Sequence, residues 1–374
     1  MTRRPPTDPA STASQDLIAL IRQPASAQTW SLPEWDRILR LARASNVLGR
    51  LARALQQNEA QAPLPPQVLF HLVSIDRLTN HQREALAWEC NHLQDALQGL
   101  QIPLVLLKGA AYAKAGLQAA HGRLFGDIDL LVPRAAIQQV EQTLMMHGWV
   151  RDQMDPYDVR YYREWMHELP PMRNLVRGTV IDLHHNILPP STGHAPDPAL
   201  LIAASLPLCD GPFRRLADTD LFIHSATHLF YESELKNGLR DLLDLDALLR
   251  EFGAGSDAFW AALLARAATL GLNQPVALAL HCCARLAGTP VPEPVRLQAL
   301  LAAGLPGWRI TLLEALYRRA LSPHHELVDT WPVRLSRWCL YVRGHALRMP
   351  AGRLSLHLAR KAWWRMFKSS SRKI

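Results

Sequence analysis

No CxxC pair occurs in the sequence. Its five cysteines (Cys90, Cys209, Cys282, Cys283 and Cys339) are odd in number and irregularly spaced. That excludes a zinc ribbon and a disulfide framework. Apolar runs are short, and none reaches the roughly 18 residues of a membrane-spanning helix. The first residues, Met1 to Ser14, are rich in Pro, Thr and Ser and lack the apolar stretch of a signal peptide. A cytoplasmic location is the expectation, with peripheral attachment at the inner membrane face as its extension. Walker and GxGxxG glycine patterns are missing, so P-loop and Rossmann readings have little support. No repeat recurs at a fixed period, which removes solenoids and propellers.

What is present is an ordinary globular composition. The chain has 374 residues, 48% of them hydrophobic and 20% charged. That length suits about two to three domains at roughly 150 residues each. The net charge of +8 points to a polyanionic partner until it is dissected. From Ser322 to Ile374 there are eleven Lys and Arg against Glu326 and Asp329, a net of +9. Residues 1–321 carry 30 bases and 31 acids. The body is therefore neutral, and only the last segment is basic.

The pattern along the chain suggests five regions: a disordered arm (1–15), an N-terminal helical region (16–100), an α/β core (101–190), a C-terminal helical domain (191–330) and a basic amphipathic tail (331–374). Gln67 to Leu100 reads as one long helix. Ile102 to Leu107 is wholly apolar, as in a strand buried on both faces. Asp127 to Val132 (DIDLLV) and Val180 to His185 (VIDLHH) read as further strands, and Trp149-Val150 as the start of another. Helical patterns at Ala110–Ala120 and Arg134–His147 fall between the strands. Strand, helix, strand, helix, strand is the signature of a mixed α/β fold. Beyond Pro190, helices are expected at Thr219–His228, Asn237–Phe252, Ser256–Leu270, Pro275–Leu286 and Trp308–Leu321. Asp218 or Thr219 is the expected N-cap of the first of these, and Ser256 of the third.

Chemistry concentrates in the core. Asp127 and Asp129 stand two apart in an apolar strand, so their side chains share a face. Paired carboxylates there repel each other unless a cation compensates, and hard ions such as Mg²⁺ are held by such oxygens. Asp182 recurs in a similar strand, with His184 on the same face. Three carboxylates on neighbouring strands suit two ions about 3.5–4 Å apart, the arrangement for displacement at phosphorus. Lys108-Gly109-Ala110 follows the first strand and opens a helix, where backbone N–H groups can hold an anion. Lys108 would add a point charge and Arg123 a planar donor.

Plainer readings stand beside these. The Asp127–Asp129 pair is also compatible with an exposed strand end or a metal-free descendant of an enzyme. Lys108 fits a solvated strand end, and Arg123 a structural partner of Asp127 or another acid. Arg240 could face the cleft, or form a surface i,i+4 pair with Asp244. His184 could reach the site or simply be structural. His224 and His228 have zinc-compatible helical spacing but no third ligand nearby, so packed histidines are expected.

The runs LVLLKGAAYAKAG, RLFGDIDLLV and GTVIDLHH resemble the nucleotidyltransferase superfamily of DNA polymerase β. More narrowly, they resemble its poorly characterised bacterial branch in which a Lys-Gly turn replaces Gly-Ser. The stretch HSATHLFYESELKNGLRDLLDLDALL (224–249) resembles the helices that follow that core. The resemblance covers most of residues 35–290 and is strongest over 102–185. It implies a polymerase-β-like core of mixed sheet flanked by helical regions. It implies transfer of an NMP group from an NTP to an acceptor, with pyrophosphate release and two Mg²⁺ (or Mn²⁺) ions. Asp127, Asp129 and Asp182 match the three metal carboxylates. Lys108, Gly109, Ala110 and Arg123 fall to the nucleotide. Ala110 stands where a serine hydroxyl is usual. The alternatives are a toxin-like enzyme modifying tRNA or protein, and a non-catalytic nucleotide sensor or scaffold. Around the tail, Leu356, Ala359, Trp363 and Phe367 fall near one helical face among basic residues. That suits an anionic membrane or RNA, reached through residues 350–374.

Overall fold

The structure, a computed structural model, describes residues 9–27, 30–57, 64–151, 162, 166–209, 211–231 and 235–348. Three helices open the chain: α1 (Pro9–Arg22), α2 (Leu32–Ala44) and α3 (Leu48–Gln56). A capping box on Ser31 and Glu34 starts α2. The helix α4 (Pro66–Leu97) then runs for 32 residues. Its first half, through Val68 and Leu72, belongs to the N-terminal apolar cluster. Its second half, through Leu86, Cys90, Leu93 and Leu97, packs on the sheet. One rod therefore spans two cores.

The core alternates β1 (Leu104–Leu106), α5 (Lys108–Lys114), β2 (Ile128–Leu131), α6 (Ile137–Met146) and β3 (Trp149–Arg151). It continues with β4 (Met172–Asn174), β5 (Val180–His184), the short helix α7 (Pro198–Ala204), β6 (Leu206–Pro207) and β7 (Phe213–Arg215). The seven strands form one mixed sheet in the order β3-β4-β5-β2-β1-β7-β6. β2 runs parallel to β5, and β1 parallel to β7, while β1 and β2 are antiparallel. The fold is α+β with a mixed sheet, as the α/β texture and the family resemblance led us to expect.

Both faces of the central strands are covered, which is why β1 reads as an unbroken apolar run and β2 as one interrupted only by Asp129. Leu104, Leu106, Ile128 and Leu130 face the cluster containing the second half of α4. Val105, Leu107 and Leu131 face the C-terminal helices. These are α8 (Asp218–Tyr231), α9 (Gly238–Phe252), α10 (Asp257–Thr269), α11 (Asn273–Cys282), α12 (Glu293–Ala302), α13 (Gly307–Ala320) and α14 (Trp331–Arg348).

Several sequence expectations change. The arm assigned to residues 1–15 is helical from Pro9, because Ala13, Leu17 and Leu20 are buried in the N-terminal cluster. The core does not stop at 190, since β6 and β7 complete its sheet. The N- and C-terminal helical regions are not separate either. Leu239, Leu243, Val328 and Val333 join the cluster built from α1 to α4. The first part of the tail, α14, is a packed helix with Val333, Ser336 and Leu340 buried. The amphipathic stretch 354–367 lies outside the described residues. Ser256 caps α10 by accepting from the Phe259 N–H. Asp218 does not cap α8: it is the first helical residue, and its carboxylate accepts from Arg215 at 2.6 Å. The helix expected at Pro275–Leu286 ends in a π-turn, Cys283–Ala287.

One contact fixes the N-terminal helices to the core. A Cβ placed on Gly49 would lie 2.4 Å from the Gly122 carbonyl oxygen. A Cβ on Gly122, whose φ is +66°, would meet the Gly49 backbone at 2.5 Å. Two glycines thus bring α3 against the loop before β2, closer than side chains permit.

Candidate active site

β2 and β5 lie side by side with Asp129 opposite Asp182 and Leu131 opposite His184. In a parallel pair, registered residues point the same way. Asp127, two residues before Asp129, shares that side. The three carboxylates expected from the sequence therefore converge on the face turned toward α8 and α9. Asp129 is buried, Asp182 half-buried and Asp127 exposed.

Asp129 is the hub. Its Oδ1 accepts from Lys108 Nζ at 3.0 Å and lies 2.9 Å from His184 Nε2. Burial alone would raise its pKa. The Lys108 charge and the His184 hydrogen bond outweigh burial and hold it well below the usual carboxylate range. Its neighbours receive less help. Desolvation by the surrounding protein, although Asp127 keeps an exposed edge, and then repulsion from Asp129 raise Asp127 against the pull of Lys108, Arg123 and Arg240. Burial pushes Asp182 up to about 7, and Asp129, Glu168 and Asp127 add repulsion. Among the described residues Asp182 Oδ1 is buried without a hydrogen-bond partner. A carboxyl held near neutrality at physiological pH, beside two others, is the pattern of a site built for a cation or a proton.

Lys108 sits at the turn between β1 and α5 with φ +44°, a left-handed conformation that costs a non-glycine residue about 1–2 kcal/mol. The strain aims its ammonium at Asp129. Burial opposes the charge, but Asp129 outweighs it and the lysine pKa rises. Gly109 and Ala110 follow, both buried. A Cβ on Gly109 would stand 3.0 Å from Arg123 Nε and 3.1 Å from Phe125. The glycine admits Arg123, and Ala110 packs into the sheet core.

Arg123 is buried and pairs with Asp244 on α9, as does Arg50 from α3. Arg50 also donates to the carbonyls of Leu243 at 2.8 Å and Ala119 at 2.6 Å. Burial, then repulsion from Arg240, pulls both guanidinium groups down to about 10. The sequence offered Asp244 as a surface partner of Arg240. It is instead buried between Arg50 and Arg123, and Arg240 pairs with Asp241 at 2.7 Å. Arg240 does face the site. With Lys108, Tyr112, Arg123, Ser225, His228, Asp241 and Asp244 it lines a cavity of about 20 Å³. That is space for one water.

His224 is buried, and His228 is half-buried at the wall of the cavity. Burial, then the Lys108 charge, lowers both, His224 to about 3, so both are neutral. Sequence reasoning missed Arg50 and Tyr112, whose hydroxyl lies 2.6 Å from Ser225 Oγ. It also missed Glu168 and His167, which pack beside His184. Adjacent His and Glu in a polar stretch was the available signal.

A family model described as an uncharacterised nucleotidyltransferase matches residues 31–288. The chain belongs to this family. It is a nucleotidyl-transferring enzyme by that membership, and the matched span covers the three carboxylates, the Lys-Gly turn and the Arg50–Asp244 clamp. No curated protein and no solved structure matches the chain.

Proposed function

We propose that this nucleotidyltransferase moves an NMP group from an NTP to a hydroxyl or phosphate of an acceptor and releases pyrophosphate. The observation that carries the reading is the register of Asp129 with Asp182, beside an Asp182 oxygen that has no partner. An acid-rich face with an unsatisfied carboxylate oxygen fits hard divalent cations. Asp127, Asp129 and Asp182 would hold two Mg²⁺ ions. When bound, these supply positive charge to the triphosphate and to the departing pyrophosphate.

The chain's own residues divide the remaining work. Lys108 and His184 keep Asp129 ionised. Asp182 is the group placed to take the proton of the attacking hydroxyl. Lys108, Arg123 and Arg240 give the adjoining space a positive wall for phosphate oxygens. The acceptor is a small molecule, glycan, protein or RNA, and the C-terminal helices α8 and α9 would shape its site. Isothermal calorimetry tests this: NTP binding should require Mg²⁺ and disappear in Asp127→Ala/Asp129→Ala. Equal binding by the double variant would sink the metal assignment.

A second reading, nucleotide binding without turnover, has one observation behind it. The ammonium of Lys108 already sits against Asp129, where a cation would otherwise be needed. Mg²⁺-dependent binding with no pyrophosphate release across a panel of acceptors would favour it. We place the protein in the cytoplasm. The basic residues 350–374 would attach it to an anionic membrane or to RNA. Deleting 350–374 should abolish co-flotation with phosphatidylserine vesicles if the membrane is the partner.

A further inference from the structure

Beside the carboxylate face lies a second group of donor atoms. The segment Met166–Pro170 crosses the end of β5, and Glu168 forms an isolated antiparallel bridge with His184. This brings together His167, Glu168 and His184, with one ligand atom from each lying within 4.8 Å of the other two. His184 Nδ1 is 3.4 Å from Glu168 Oε2, and His167 Nε2 is 3.8 Å from the same oxygen. A tetrahedral zinc ion with bonds of about 2.0–2.1 Å spaces its ligand atoms roughly 3.3 Å apart. Two of the three edges are already close to that.

Independent support comes from hydrogen bonding. His184 is 1% exposed, and among the described residues its Nδ1 is buried with no hydrogen-bond partner. Its other nitrogen, Nε2, lies 2.9 Å from Asp129 Oδ1. A buried imidazole with one nitrogen on a carboxylate and the other aimed at a carboxylate oxygen and a second imidazole is the carboxylate–histidine–metal arrangement. In it the Nε2–H donates to Asp129 and the Nδ1 lone pair is free for an ion. Two imidazoles with one carboxylate select zinc-like ions over Mg²⁺, which prefers oxygen.

We propose that His167, Glu168 and His184 form a binding site for a transition-metal ion of the Zn²⁺ class, separate from the Asp127–Asp129–Asp182 face. Three protein ligands leave a fourth position for water. The ion clips Met166–Pro170 to β5 and fixes His184 as a donor to Asp129. It couples this site to the orientation of the central carboxylate.

The test uses the untagged full chain, stripped with chelator and titrated with Zn²⁺, and with Co²⁺ for its absorption spectrum. One equivalent should bind, with the intense visible bands of a four-coordinate Co²⁺ site. His167→Ala and Glu168→Ala should each weaken Zn²⁺ binding at least about 100-fold. Asp127→Ala should leave it unchanged, which separates this site from the Mg²⁺ assignment. Thermal melting in excess chelator checks folding: each variant should match the stripped wild type, and the wild type alone should gain stability with Zn²⁺. No stoichiometric binding, or binding unchanged in both His167→Ala and Glu168→Ala, overturns the proposal.

Discussion

Two neighbouring clusters of charge, joined at the cavity that Lys108, Arg123 and Asp244 line together, differ in how they are balanced. On one side, Asp127, Asp129, Asp182 and Glu168 outnumber Lys108 and His184, and Asp127 is exposed. On the other, Arg50 and Arg123 share Asp244; Arg123 and Asp244 are buried and Arg50 is half-buried. The Arg50 guanidinium is further satisfied by two backbone carbonyls. The first cluster has a carboxylate oxygen without a partner and faces the outside. The second joins α3, the loop before β2 and α9. Among the described residues the clamp keeps orphaned atoms too, the Nε of Arg50 and of Arg123, so the clusters differ in the sign of their excess: acids outnumber bases in the first, whereas two guanidinium groups share one carboxylate in the second.

Breaking the clamp should be the costliest change. Asp244→Ala leaves two buried guanidinium groups without their anion and should lower stability by about 3–5 kcal/mol in urea unfolding. Removing the hub of the other cluster should act on rate. Asp129→Ala should lower nucleotidyl transfer on the order of 10²–10³-fold, read as pyrophosphate release, while the chain stays folded. Gly122→Ala probes the glycine seam that aligns the clamp. Overpacking there should cost about 1–3 kcal/mol, seen as a lower thermal midpoint.

The smallest effect gives the sharpest contrast. Asp182 titrates at about 7 in the folded chain and near the ordinary aspartate value, about 4, when unfolded. The folded state thus binds the proton more tightly. Its contribution to stability is fully present below about pH 4 and is lost as pH rises toward 7. Asp182→Asn should flatten this decline and leave stability at pH 8 equal or slightly higher, unlike Asp244→Ala. Comparing chemical unfolding of the two variants across pH separates an acid excess from a carboxylate shared by two bases.

Much of this was legible in the sequence, and the reasons are local. β1 announces itself because a strand covered on both faces is continuously apolar, and β2 and β5 because apolar residues flank their single aspartates. The Asp127–Asp129 spacing reports a shared side directly. Nothing local encodes β4, whose Met172-Arg173-Asn174 holds one apolar residue, or β6 and β7, which are two and three residues long. The partner of Arg123 lies 121 residues away, on a helix whose period allowed Asp244 to be read as exposed. Pro, Ser and Thr disguised the start of α1, where burial against distant helices overrides composition. Gly109 was read as an opening for phosphate, but its missing side chain makes way for Arg123, a fact visible only in three dimensions.

The first helix carries a consequence for how the protein comes into being. Ser14 donates to the carbonyl of Leu321 at 3.3 Å, and Arg22 to that of Ala287 at 2.9 Å. Val328 and Val333 complete the apolar cluster that α1 begins. During synthesis α1 must therefore wait for a partner made 307 residues later. Until then its leucines lack their cover, and a nascent chain halted before residue 320 should be a client for chaperones.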